Sequence, residues 1–130
     1  MKRLFSLLVI CIAVLCFFSS CAMEKPLEAK YTLYGSISYT NAKEEEITVP
    51  RCQLFLYPNG EYEITLINIG TWKKDEDNPN KIILTASDPE IFSIMELEYD
   101  AKWHTLEQIN TETTNKGFEI EGTFRFNAPL

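Results

Sequence analysis

His104 is the only histidine in the 130-residue chain, and it would have to act as the base in any Ser-His-Asp or Cys-His arrangement. Its neighbours Trp103 and Leu106 are apolar, and the chain has no Gly-x-Ser-x-Gly segment and no glycine-rich phosphate loop. A histidine at a strand edge or on the surface accounts for His104 without catalysis. The sequence therefore predicts that the protein is not an enzyme.

Metal-binding patterns are equally sparse. Asp75 and Asp77 alternate within "KKDEDNPNK" as they would in a calcium loop, but the glycine and the distal glutamate of an EF-hand are missing. Cys52 has no second cysteine and no histidine near it in sequence, so we interpret it as a small buried hydrophobic residue on a strand. The sequence predicts no metal site and no cofactor.

The N-terminus has the composition of an export signal. Lys2 and Arg3 precede a fifteen-residue apolar run over 4–18, which is shorter than the roughly 20 residues a membrane-spanning helix needs. Ser19-Ser20-Cys21 then resembles a bacterial lipoprotein box, in which cleavage precedes a cysteine that becomes lipidated. We expect a signal peptide over 1–20, a tether over 21–30 and one domain over 31–130, with cleavage after Ala22 as the alternative. The predicted location is the bacterial envelope, at the outer membrane, with acyl chains on Cys21 as the membrane contact.

Charge excludes one class of partner. Loss of residues 1–20 removes two basic side chains and no acidic ones, so the net charge falls from −7 to −9. An acidic domain of this kind repels the phosphates of nucleic acid, and we expect no nucleic-acid partner.

The rest of the chain alternates apolar and polar residues with a period of two, which is typical of half-buried strands. Strands are predicted at 31–40, 53–57, 61–68, from 70, and at 82–86, 90–99, 101–110 and 118–126. Pro58-Asn59-Gly60 predicts a tight hairpin turn, with Tyr62, Ile64 and Leu66 sharing the inner face of the strand that follows. About eight short strands joined by short loops favour a single antiparallel meander that closes into a small barrel. A two-sheet β-sandwich is the alternative.

One block of the chain carries a family resemblance. "LFLYPNGEYEITLINIGTWKKDEDNPNKIILTA" resembles the strand–turn–strand–Gly-x-Trp–strand block of small lipocalin-like envelope lipoproteins and is similar to the barrel of copper-stress envelope lipoproteins. Those copper-stress proteins have a Cys-x-x-Cys motif before this block, where the present chain reads "VPRCQLFL" with Cys52 alone. The resemblance implies a lipocalin-like barrel and a cup for a small apolar ligand.

Two functions follow from these patterns. The first is a non-enzymatic binding module for a small apolar ligand, held by aromatic side chains at the barrel mouth, for which the candidates are Tyr39, Tyr62 and Trp72. The second is a protein-interaction module with a filled barrel, such as an accessory subunit or a hydrolase inhibitor. A small eight-stranded barrel is just wide enough to be filled by its own side chains, so the state of the interior separates the two.

Lipidation of Cys21 is directly testable. Cells expressing the chain and fed a fatty-acid probe should label the wild type and lose that label in Cys21→Ala, because the cysteine sulfur is the acceptor. Equal labelling of both proteins would contradict the prediction.

Overall fold

The computed structural model describes residues 26–130, and the signal peptide and the proposed lipidation site at Cys21 lie outside them. Nine antiparallel β-strands make up the regular structure of this part of the chain. They are β1 Ala29–Thr40, β2 Glu46–Pro50, β3 Gln53–Leu56, β4 Glu61–Ile64, β5 Asn68–Lys74, β6 Lys81–Ala86, β7 Ile94–Asp100, β8 Thr105–Glu112 and β9 Glu119–Pro129. Within residues 26–130 no helix is long and apolar enough to cross a membrane.

The strands form a meander that closes on itself. Each strand from β3 to β8 pairs with the next, and β9 returns to pair with β1 from Ala29–Pro129 to Ser38–Glu119. β2 and β3 share one edge of β1, because β3 covers its first half and β2 its second half. Arg51 and Cys52 interrupt them as a bulge, so β2 and β3 behave as one bent strand. Counted in this way, the barrel has eight strands. The predicted all-β barrel is confirmed, and the sandwich alternative is not formed.

Every strand of the barrel contributes side chains to the interior. The buried apolar residues form one cluster that includes Leu33, Leu54, Leu84 and Leu97, each with no exposed surface. Phe124 is buried to 1% exposure, and Phe118, Ile120 and Phe126 pack half-buried against the same cluster. The period-two alternation of the predicted strand over 118–126 puts these four residues on one face, and in the structure that face meets the core.

The hairpin turn at 58–60 forms as the sequence predicts. Gly60 has φ of +86°, the conformation for which glycine is suited. Its N–H donates to the Tyr57 carbonyl over 3.1 Å, and the Asn59 side chain accepts from the Glu61 N–H over 3.0 Å.

The predicted strand over 61–68 is too long. β4 ends at Ile64, and the chain reverses through Thr65–Ile67 before β5 begins at Asn68. Leu66 therefore does not join Tyr62 and Ile64 on the inner face: it is 82% exposed and has φ of +65°. The apolar alternation continued through the turn, and no glycine or proline marked it.

Four other boundaries also differ. Residues 90–93 form a loop before β7, although Ile91 and Phe92 are buried under the barrel end, and residues 101–104 form the β7–β8 turn. β2 was not predicted, because it directly follows three glutamates that read as part of a charged loop. β1 begins at Ala29, which is fully buried.

Because Phe124 is buried in the core, its truncation should destabilise the protein. Phe124→Ala should lower the free energy of unfolding by about 3–5 kcal/mol, because the cluster cannot collapse into the space left by the ring. Glu121→Gln, an exposed position on the same strand, is the control and should change it by less than about 0.5 kcal/mol. Chemical denaturation of the three proteins measures both values, and a loss below about 1 kcal/mol for Phe124→Ala would contradict the packing.

Candidate functional site

Tyr62 and Trp72 lie next to each other on the inner faces of β4 and β5. Tyr62 is opposite Gly70, and a Cβ at Gly70 would stand 2.8 Å from the Tyr62 ring, so the glycine leaves room for it. Trp72 lies one inward position further along β5, where its indole N–H donates to the Tyr57 carbonyl over 2.8 Å. That contact ties the tryptophan to the hairpin turn and accounts for its polar atom.

The third predicted ligand residue lies elsewhere. Tyr39 is opposite Ile47 near the C-terminal end of β1, whereas the Tyr57–Gly60 turn lies at the N-terminal end, where Lys30 is opposite Phe55. Tyr39 is half-buried against the core. The structure brings Tyr62 and Trp72 together and places Tyr39 at the opposite end of the barrel.

A buried polar contact involves Tyr62. Its hydroxyl donates to Asn68 Oδ1 over 3.1 Å, and burial raises the pKa of this hydroxyl well above its usual value. The Asn68 amide nitrogen is buried and has no hydrogen-bond partner among residues 26–130. A buried donor without a partner costs free energy, so this is a point where a water molecule or ligand would be stabilising. Nothing in the sequence pattern of Asn68 signalled it.

Cys52 is structural. It points into the core at 2% exposure, and burial raises the pKa of its thiol to about 11, so the thiol stays protonated at neutral pH. His104 lies in the β7–β8 turn, where its Nδ1 is 2.9 Å from the Tyr99 hydroxyl and its ring packs edge-on against Phe126. Within residues 26–130 there is no group of three or more His, Cys, Asp or Glu side chains placed to hold a metal ion.

The outer wall of β3, β4 and β5 carries apolar side chains that the predictions did not include. Phe55, Glu63 and Ile69 form a row across the three strands, and Phe55 stacks on Tyr57 with ring centroids 5.9 Å apart. Ile69 is 58% exposed, and Leu66 lies at the turn before it. We call Phe55, Tyr57, Leu66 and Ile69 the Ile69 surface.

Two open concavities share Ile69 and Ser87. One, of about 360 Å³, extends toward Ile67 and Ile91, and the other, of about 440 Å³, extends toward Tyr57 and Thr71. The charged residues in their walls are all acidic: Glu61 and Glu63 in one, Asp88 and Glu90 in the other. Glu63 thus lies within the Ile69 surface, between Phe55 and Ile69, and Glu61, Asp88 and Glu90 add negative charge around Ile69.

Comparison with family models, with curated proteins and with solved structures gives no match for this chain. The description of the barrel as lipocalin-like consequently rests on its closed, eight-stranded antiparallel meander alone.

The buried Tyr62–Asn68 contact predicts the effect of a conservative change. Tyr62→Phe should lower the free energy of unfolding by about 1–2 kcal/mol, because the change leaves a second atom of the Asn68 amide unpaired inside the barrel. Tyr57→Phe is the control, since Tyr57 is a half-buried residue whose hydroxyl makes no hydrogen bond within residues 26–130. Equal stabilities of Tyr62→Phe and wild type in urea would show that the contact is absent in solution.

Proposed function

We propose that the chain is a lipid-anchored bacterial envelope protein whose barrel is a protein-interaction module, with the Ile69 surface as the contact region. The supporting observation is the distribution of apolar side chains: the core positions of the barrel are occupied by its own residues, while Leu66 and Ile69 are left in solvent. Exposed apolar side chains bordered by polar ones are common in protein contact regions.

Leu66 supports this proposal most strongly. A leucine with positive φ costs roughly 1–2 kcal/mol, and exposure of its side chain recovers none of that through burial. Asparagine or glycine would serve a turn at lower cost. A leucine held in this conformation at the tip of a hairpin contributes nothing visible to the barrel, and a partner that buries it would account for its position.

The acidic residues around Ile69 indicate the chemistry of the partner. Glu61, Glu63, Asp88 and Glu90 surround Ile69, so a complementary surface would present an apolar side chain flanked by lysine or arginine. The chain as a whole is acidic, which would also accelerate encounter with a basic protein. An envelope enzyme with a basic surface, regulated or assisted by this barrel, fits both observations.

The lipid anchor belongs to the same proposal. It is supported by the short apolar run and by Ser19-Ser20-Cys21, and it would hold the barrel at a membrane through a short tether. A relationship to small lipocalin-like envelope lipoproteins is part of the proposal, and the resemblance of residues 54–86 and the closed antiparallel barrel are consistent with it. The similarity to copper-stress lipoproteins rests on residues 54–86 alone, and their Cys-x-x-Cys motif is missing before this block, where Cys52 stands alone.

A small-ligand carrier is the second candidate, and the unpartnered Asn68 amide favours it. A ligand with an acceptor oxygen beside Tyr62 would satisfy that nitrogen. This function requires unfilled space beside the Tyr62–Asn68 pair, so evidence that the interior is solidly packed would exclude it.

The contact region can be tested with a photo-crosslinking amino acid placed at Ile69 in living cells. We expect a discrete product containing a basic envelope protein, and its loss when Leu66→Asn is added, because asparagine removes the apolar contact. Leu66→Asn should also raise the free energy of unfolding by as much as about 1 kcal/mol, since asparagine tolerates positive φ better than leucine.

The matched control is a crosslinker at Ile109, which is 49% exposed on β8, three strands from β5 in the sheet. Equal products from both positions, or a product from Ile69 that persists in Leu66→Asn, would overturn the proposal. The stability measurement separates loss of contact from loss of fold.

A further inference from the structure

A second exposed cluster lies on the outer face of β1, which is separated from β4 by β3 in the sheet. Tyr34, which is 48% exposed, lies between two arginines from the segments on either side of its strand. The Arg125 guanidinium carbon, from β9, is 4.3 Å from the centre of the Tyr34 ring. The Arg51 guanidinium carbon, from the β2–β3 bulge, is 5.5 Å from it.

Both arginines are without an acidic partner in the part of the chain that the structure describes. The ion pair found there is Lys81–Glu96, and neither Arg51 nor Arg125 donates a side-chain hydrogen bond to a residue within 26–130. Each guanidinium carries five N–H donors, and contact with an aromatic ring uses the face of the group rather than those donors. In a chain of net charge −7, two unpaired arginines at one point form a local concentration of positive charge.

The backbone holds the two arginines in place. Arg51 has φ of +50°, and its N–H donates to the Gly35 carbonyl over 3.0 Å, while the Leu33 N–H donates to the Cys52 carbonyl over 2.9 Å. These bonds fix the bulge, and a bulge redirects the side chain it carries. Arg125 is opposite Thr32 on one side and Thr105 on the other, within the best-connected part of β9.

A purely structural stack explains part of this arrangement, because an exposed cation–π contact is itself modestly stabilising. It does not explain why two cations share one ring. Two guanidinium groups placed at the same ring repel each other, and a single arginine would be enough to stack on Tyr34. The acidic residues nearest in the register are Glu107, two positions from Thr105 on β8, and Glu121, opposite Ser36, and neither forms an ion pair with either arginine.

We propose that Arg51, Tyr34 and Arg125 form a binding site for a phosphate group on the outer wall of the barrel. The two guanidiniums supply donors from two sides and a charge that matches a phosphate, and the Tyr34 hydroxyl supplies a further donor at the exposed rim. Arginine suits such a site better than lysine does, because its N–H donors lie in one plane as a fork that can make two parallel hydrogen bonds to a phosphate. The site is separate from the Ile69 surface and does not depend on it.

The phosphate could be a free anion or a phospholipid headgroup, and two soluble probes distinguish these sources. Inorganic phosphate represents the free anion, and glycerophosphoglycerol, a phosphodiester without acyl chains, represents the headgroup. The protein as cells produce it, purified in detergent, is titrated with each probe at constant ionic strength while the arginine Nε–H resonances are recorded by NMR.

Saturable shifts of the Arg51 and Arg125 signals are expected, with affinity lowered about tenfold in Arg51→Gln and in Arg125→Gln, the loss expected from one charge-assisted hydrogen bond. Lys102→Gln is the matched control, because Lys102 lies over Trp103 at 5.2 Å as a single exposed cation–π pair. It should bind as the wild type does. Arg125→Lys keeps the charge and serves as the second variant if the glutamine variant fails to fold.

The outcomes are distinct. Tighter binding of inorganic phosphate would assign the site to a soluble anion, and tighter binding of the diester would assign it to a lipid headgroup; both support the site. Linear shifts without saturation, or affinities that are unchanged in both arginine variants, would overturn it.

Discussion

Closure of this barrel depends on the long pairing of β1 with β9, and that pairing depends on close approach at two glycines. Gly35 is opposite Gly122, and a Cβ on Gly35 would collide with the Glu121 carbonyl, while one on Gly122 would collide with the Tyr34 carbonyl. Gly122 also has φ of +96°, which bends β9 at this point. β9 pairs with β8 only near Thr105 and Leu106, so the bend directs the rest of β9 toward β1. Asn115, in the loop between β8 and β9, fixes that loop to the end of β1, because its side chain accepts from the Thr40 N–H and donates to the Thr40 carbonyl.

The sequence predicts the strands whose inner faces are continuous and apolar, and it fails where apolar residues serve another purpose. Tyr31, Leu33 and Ile37 alternate within one strand and are fully buried. Leu66 extended the same alternation into a turn, because a period of two cannot distinguish an inward side chain from one displayed at a hairpin tip. The β2–β3 bulge, which orients Arg51, was equally invisible, since no glycine marks its positive φ.

The predicted site was limited for a related reason. Residue type alone points to aromatic side chains, but Trp72 and Tyr62 use their polar atoms within the fold, on the Tyr57 carbonyl and on Asn68. What distinguishes the surface residues is exposure and geometry: an exposed leucine with positive φ, and a tyrosine between two arginines. Neither property follows from residue type. A tightly filled interior would transfer recognition to the outer wall, where both features lie, because a packed core leaves no volume for a ligand.

The filling of the interior is therefore the claim on which the functional proposal rests. Xenon tests it directly, because an engineered apolar cavity of roughly 150 Å³ stays empty of water and binds the gas. Methyl NMR spectra under xenon pressure should show no saturable shift at Leu54, Ile82 or Leu84, whose side chains are fully buried. Saturable shifts at these interior methyl groups would reveal a hollow barrel, contradict the interaction-module proposal and favour a small-ligand carrier.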